Sequence, residues 1–263
     1  MEDTTRNSIK TLTRIYYDYQ RERTRLDGRL GIRKDGEAKA RAPVKDQIIL
    51  AEVRARREDV LAMEEATAKS LAPEVHKHPL WKAFLADVLG VGEVRAAVQI
   101  SEFDIHVATT VSKMWQFAGC NPGMVYGWKY QRGLWRRTDE LIRGDKRTKG
   151  FRCPYNQFLK DDLLGRLGPS FLKAHSPYCE HYYNMRQRLE SMDWGEAAKN
   201  PTDPKKPKAN HQHRAANRYM VKMYLIDLYV AWRTVEGLPV REPYAAEYLG
   251  RGHHEEEPVL AEE

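Results

Sequence analysis

The chain has 263 residues, 44 basic and 37 acidic, for a formal charge of +7 and a pI near 9.2. That length holds one or two domains with a sizeable core, and 41% apolar with 31% charged residues excludes wholesale disorder. No apolar run approaches the roughly 18 residues of a bilayer span, so no membrane contact is expected.

The acidic start, MEDTTRNSIK, lacks the basic-then-apolar order of a secretory leader. Three separated cysteines (Cys120, Cys153 and Cys179) imply no disulfide framework, and a cytoplasmic location is expected. The charge is uneven. Residues 1–79 hold 17 basic and 14 acidic side chains and residues 240–263 hold 2 and 7, which leaves 25 and 16 between them. A polyanion-binding surface is therefore expected in residues 80–239, and residues 240–263 read as a flexible acidic tail.

Along the chain, Ile9, Leu12, Tyr16, Tyr19, Leu26 and Leu30 follow a heptad that Arg23 interrupts. A second helix is predicted from Asp46 through Ile49, Val53, Val60 and Met63 to about Leu71. The two read as a helical hairpin or coiled-coil arm over residues 1–75. Such a pair is too thin to bury both apolar seams, so either it dimerises or the rest of the chain covers it. A homodimer or higher oligomer through these helices is the expectation.

Residues 76–239 read as a mainly α domain. In LWKAFLADVLGVGEVRAAVQI (80–100), Leu80, Phe84, Leu85 and Val88 mark one helix face, and Val94, Ala97, Val98 and Ile100 mark a second. Gly90, Val91 and Gly92 lie between them. A Gly–apolar–Gly turn permits a tight backbone, packs its middle residue inward and leaves amides at the second helix's start to meet a phosphate. This spacing resembles a helix–hairpin–helix motif. Glu93 stands where it could occupy the anion position itself.

After a short helix predicted over 108–122, residues 129–152 carry Lys129, Arg132, Arg136, Arg137, Arg143, Lys146, Arg147, Lys149 and Arg152 against Asp139, Glu140 and Asp145. Tyr126, Trp128, Tyr130, Trp135 and Phe151 are interleaved. The short Gly-punctuated period predicts a β-hairpin or extended loop. Its cations suit phosphates and its rings suit unpaired bases if they are exposed; the other reading is a solvated hairpin with its aromatics buried. Helices are predicted over 154–173 and 181–192, then a Pro-broken linker. The last helix has Ala216, Met220, Met223, Tyr224, Leu228, Ala231 and Trp232 on its core face, and Arg214, Arg218 and Lys222 at four-residue steps on a polar side that reads either as a phosphate-backbone contact or as an ordinary exposed face.

Taken in order, HPLWKAFLADVLGVGEVRAA, WQFAGCNPG, RTKGFRCPYNQFLKDDLL and HRAANRYMVKMYLIDLYVAW resemble the bridge-RNA-guided insertion-sequence transposases of the DEDD type. The similarity runs over roughly residues 9–235 and corresponds to that family's coiled-coil linker and helical C-terminal domain. It implies DNA or structured-RNA binding. The family's RuvC-like domain, with its spaced carboxylates, has no counterpart here. Its catalytic serine follows the Ala-Gly-x-x-Pro turn, where this chain has MVYGWKYQRG. The resemblance therefore implies binding without catalysis of its own.

Two other readings stay open: a recombinase subunit acting with a separate nuclease, and a structural or assembly protein of a mobile element. No cofactor or metal is expected, since Cys153, His175, Cys179, His181, His211 and His213 lack standard zinc-ligand spacing. The expected contact residues are Gly90, Val91, Gly92, Lys129, Arg132, Arg136, Arg137, Lys146, Arg147, Lys149 and Arg152.

Overall fold

The computed structural model describes residues 3–32, 46–192 and 209–241; the acidic tail and most of the Pro-broken linker lie outside them. The described chain is mainly α-helical with a single two-stranded sheet. It divides into two compact units. Of the described residues, one unit comprises 3–32, 46–82 and 92–102, the other 83–91, 103–192 and 209–241. No described helix is long and apolar enough to cross a membrane.

In the first unit, α1 (Asp3–Leu30) packs on α2 (Gln47–Lys77), and α4 (Glu93–Glu102) packs on both. Asp46 starts α2 by accepting hydrogen bonds from the Ile48 and Ile49 amides at 2.9 and 3.2 Å. Arg23 meets Glu64, and Asp27 meets Arg57, so the pair runs antiparallel. This third helix covers part of the seam between the two, while Ile15, Ile48, Ile49 and Met63 stay exposed.

Its presence also moves the buried stripes. In α1 the core residues are Ile9, Thr13, Tyr17, Leu26 and Leu30, and Tyr17 replaces the expected Tyr16 and Tyr19. Its hydroxyl accepts a hydrogen bond from Arg95 of α4. In α2, Leu50, Val60, Glu64, Leu71 and Val75 turn inward while Ile49 and Met63 are exposed. The inward carboxylate of Glu64 is accommodated because the heptad-breaking Arg23 reaches it through Nε at 2.6 Å and Nη2 at 3.3 Å.

The stretch after α2 is not the continuous helix that its spacing predicts. It forms a five-residue α3 (Pro79–Ala83) and then a 3-10 turn at Leu85–Asp87. Phe84 adopts φ −152°, which ends the helix, and its ring lies 6.0 Å from that of Tyr224. Leu85 is fully buried. Adjacent large side chains with separate burial sites override the local periodicity.

The second unit is organised by its last helix, α9 (Ala209–Val235), which packs against α5 (Val111–Phe117), α7 (Gly168–Ala174) and α8 (Cys179–Ser191). Ala216, Met220, Met223, Tyr224, Leu228 and Trp232 are buried as expected, and Ala231 is half-buried. The predicted helix over 154–173 is helical without a break from Gln157 to Ala174, as α6 (Gln157–Asp162), a π-helical turn at Leu163–Leu167, and α7. Within that turn the Gly168 amide bonds the Leu163 carbonyl five residues back. The side chain of Asn217 donates to the Leu164 carbonyl at 2.8 Å. The loop before α5 is tied to α9 by Arg233, whose Nη1 donates to the Ile105 and Ala108 carbonyls at 3.0 and 3.2 Å.

Candidate nucleic-acid interface

The basic aromatic segment is an antiparallel hairpin of β1 (Met124–Gln131) and β2 (Leu134–Arg143). Arg132 and Gly133 form its two-residue turn with φ +49° and +81°, the positive pair that a right-handed hairpin twist favours. Its register pairs Tyr126 with Leu141, Trp128 with Arg137 and Tyr130 with Trp135. Directly opposed residues share a face and successive residues alternate, so Trp128, Tyr130, Trp135 and Arg137 lie on one side; a register shift separates them from Tyr126, which the Arg137 guanidinium over its ring places on the same side.

That side faces water. Tyr126 is 47% exposed, Trp128 44%, Tyr130 62% and Trp135 43%, which excludes a hairpin with these aromatics buried. Tyr130 and Trp135 meet edge to face at 5.4 Å, and the Arg137 guanidinium lies 3.9 Å from the Tyr126 ring centre. The opposite side is the packed one. Ile142 is buried there, and Phe151 lies over Gly127, where any Cβ would overlap its ring. The Arg152 amide donates to the Trp128 carbonyl at 2.8 Å, which holds residues 151–152 along the strand edge.

The nine cations of residues 129–152 therefore have different surroundings. Arg132 and Arg136 are exposed towards the tip, and Arg137 lies among the rings. Lys129, on the packed side, pairs with Glu140 and stands 4.6 Å from the Phe151 ring centre. Arg143 holds buried Asp145 in two bonds of 2.9 and 3.0 Å. Lys146, Arg147, Lys149 and Arg152 are exposed at the hairpin's base.

The expected turn residues are distributed differently. Gly90 and Val91 belong to the second unit and Gly92 to the first. Gly90 has φ +94°, and a Cβ there would sit 3.0 Å from Phe171 Cδ1; its carbonyl accepts from Ser170 at 2.8 Å. Conformation and close packing thus account for this glycine. Val91 is buried, in line with its predicted inward role. At the start of α4 the Gly92 carbonyl accepts from the Arg95 and Ala96 amides. The first-turn carboxylate is Glu93, 3.5 Å from His76, the placement a helix dipole favours.

Burial pushes the Cys120 thiol up to about 12, beyond what the Arg218, Lys222 and Lys160 charges offset. The Cys179 thiol, in contact with the Phe171 carbonyl oxygen, is also raised by burial. His213 shares a 2.7 Å hydrogen bond with Tyr182. Among the described residues no three metal-capable side chains converge.

Sequence reasoning missed Asp145, counted only as one acid in a basic run. It is buried with Arg143 and Arg218 around it. Burial alone would raise its carboxyl, but the Arg143 hydrogen bonds and the Arg218, Arg143 and Lys160 charges hold it below the usual range. No local signal marks it, because Arg218 lies 73 positions along the chain. Compared with protein-family models, curated proteins and solved structures, the chain matches none of them.

Proposed function

We propose that the chain is a nucleic-acid-binding protein, for DNA before structured RNA, that stacks unpaired bases on the β1–β2 hairpin and grips phosphates with its cations. The observation that carries this reading is the water-facing row of Tyr126, Trp128, Tyr130 and Trp135, with Arg137 among the rings and Arg132 and Arg136 near the tip. Exposed rings interleaved with arginines suit a ligand that has flat π faces and negative charge together. The contact surface is the hairpin rather than the Gly90–Gly92 turn. This role is the one implied by resemblance to the transposase C-terminal domain, and it assigns no catalytic residue.

The test is fluorescence anisotropy with single-stranded, duplex and branched DNA and with structured RNA over a range of salt. Affinity falls as salt rises, since phosphate contacts release counterions, and single strands bind better than blunt duplex. Trp128→Ala with Trp135→Ala weakens single-strand binding at least about tenfold, a stacked base being worth about 1–3 kcal/mol. Salt-independent affinity, or unchanged binding by the folded double variant, refutes the proposal.

A further inference from the structure

Basic side chains that the sequence scatters over some seventy positions meet at one cleft of the second unit, with a volume of about 920 Å³. Lys146 comes from the loop after β2, Lys160 from α6, Arg166 from the π turn, and Arg214 and Arg218 from α9. The two carboxylates in the wall are already engaged. Asp145 is held by Arg143 and, at 3.3 Å, by Arg218; Asp161 accepts from Gln157 at 2.7 Å. Five cations and two carboxylates line the wall: Arg218 is paired with Asp145, Arg166 lies 3.9 Å from Asp162 and Lys160 bonds the Asp145 carbonyl, while Lys146 and Arg214 are exposed.

Two further features mark the wall as built for an anion. Burial pushes the Lys160 ammonium below the ordinary lysine range, with the Arg218 charge adding to the effect and Asp145 opposing it. A partly desolvated ammonium has lost part of its hydration, and an entering anion supplies it with a charge partner. Arg218 also keeps its Nε without a hydrogen-bond partner among the described residues. The π turn supplies Leu164, Gly165 and Arg166 to the same wall; such turns are rare and concentrate at binding sites.

We propose that this cleft binds the phosphate group of a nucleotide-sized ligand, either a free nucleotide or the phosphorylated end of a strand. Its volume falls in the roughly 300–1,000 Å³ range of small-molecule sites, well beyond what a bare phosphate needs. The paired guanidinium and ammonium groups supply the donors that phosphate oxygens require. The inference stands apart from the hairpin reading, since no aromatic of β1 or β2 lines the cleft.

The experiment titrates the full chain by calorimetry with inorganic phosphate, AMP, and a matched pair of short oligonucleotides with and without a 5′ phosphate. Lys146→Ala with Arg214→Ala is the test variant, because both side chains are exposed. A preference for the 5′-phosphorylated strand assigns the strand end; AMP binding without that preference assigns the free nucleotide. In either case the double variant binds at least tenfold more weakly while keeping its circular dichroism and melting temperature. Trp128→Ala with Trp135→Ala leaves the AMP or phosphate titration unchanged, so failure of the hairpin reading is scored separately. If no phosphate-bearing probe binds, if the strand pair binds equally and AMP not at all, or if the cleft variant binds like the parent, the proposal is overturned.

Discussion

Replacing Gly168 by alanine isolates the contact that holds the π turn against α9. Gly168 is buried, and a Cβ there would lie 2.9 Å from Asn217 Cγ and closer still to Oδ1. Asn217 must then move, which costs its 2.8 Å hydrogen bond to the Leu164 carbonyl. Losing that bond at the half-buried Leu164 carbonyl costs up to about 1–3 kcal/mol, and overpacking costs about 1–3 kcal/mol more. Alanine recovers about 1 kcal/mol of helix propensity, so the net loss is about 1–5 kcal/mol. At about 2–4 °C per kcal/mol for a chain of this size, the melting temperature falls by between a few and about 20 °C.

Gly165→Ala is the control. It lies in the same turn with nothing within 4 Å of an added Cβ, so it melts at or slightly above the parent temperature. Shortening the partner, in Gly168→Ala with Asn217→Ser, removes the collision and makes the two changes non-additive. Equal melting temperatures for Gly168→Ala and Gly165→Ala would show that the close approach does not constrain the turn.

In the first unit, Arg23→Ala leaves Glu64 buried without its main partner and destabilises by about 3–5 kcal/mol; a urea midpoint within error of the parent's contradicts this. Asp145 has a lowered carboxyl value in the folded state, so its contribution is complete above the unfolded value near 3.9 and disappears as pH falls through the lower folded value. The stability gap between the parent and Asp145→Asn is therefore constant from pH 7 to about 5 and narrows below about 4, and a gap that persists to pH 2 rejects the assignment. Thiol labelling of the native chain at pH 8 modifies half-buried Cys153 first and Cys120 only on unfolding; early mass-spectrometric detection of modified Cys120 counts against its burial.

Local chemistry alone made much of the fold legible. Asp46 announces the start of α2, the Gly-punctuated aromatic run announces a hairpin or extended loop, and the Met and Tyr stripe of α9 announces its core face. These signals act over a few residues, where capping, turn geometry and side-chain period are decided. Composition likewise located the basic middle of the chain within its +7. The tertiary structure decided the rest. Neighbouring positions on a helix differ by about 100°, so whether Tyr16 or Tyr17, Ile49 or Leu50, faces inward depends on where α4 packs. The exposure of the hairpin's rings depends on Phe151 and Ile142 filling its other side. The cleft depends on α6, the π turn and α9 converging. Such convergence is set by long-range packing, and no window of sequence contains both Lys146 and Arg218 in contact with their surroundings.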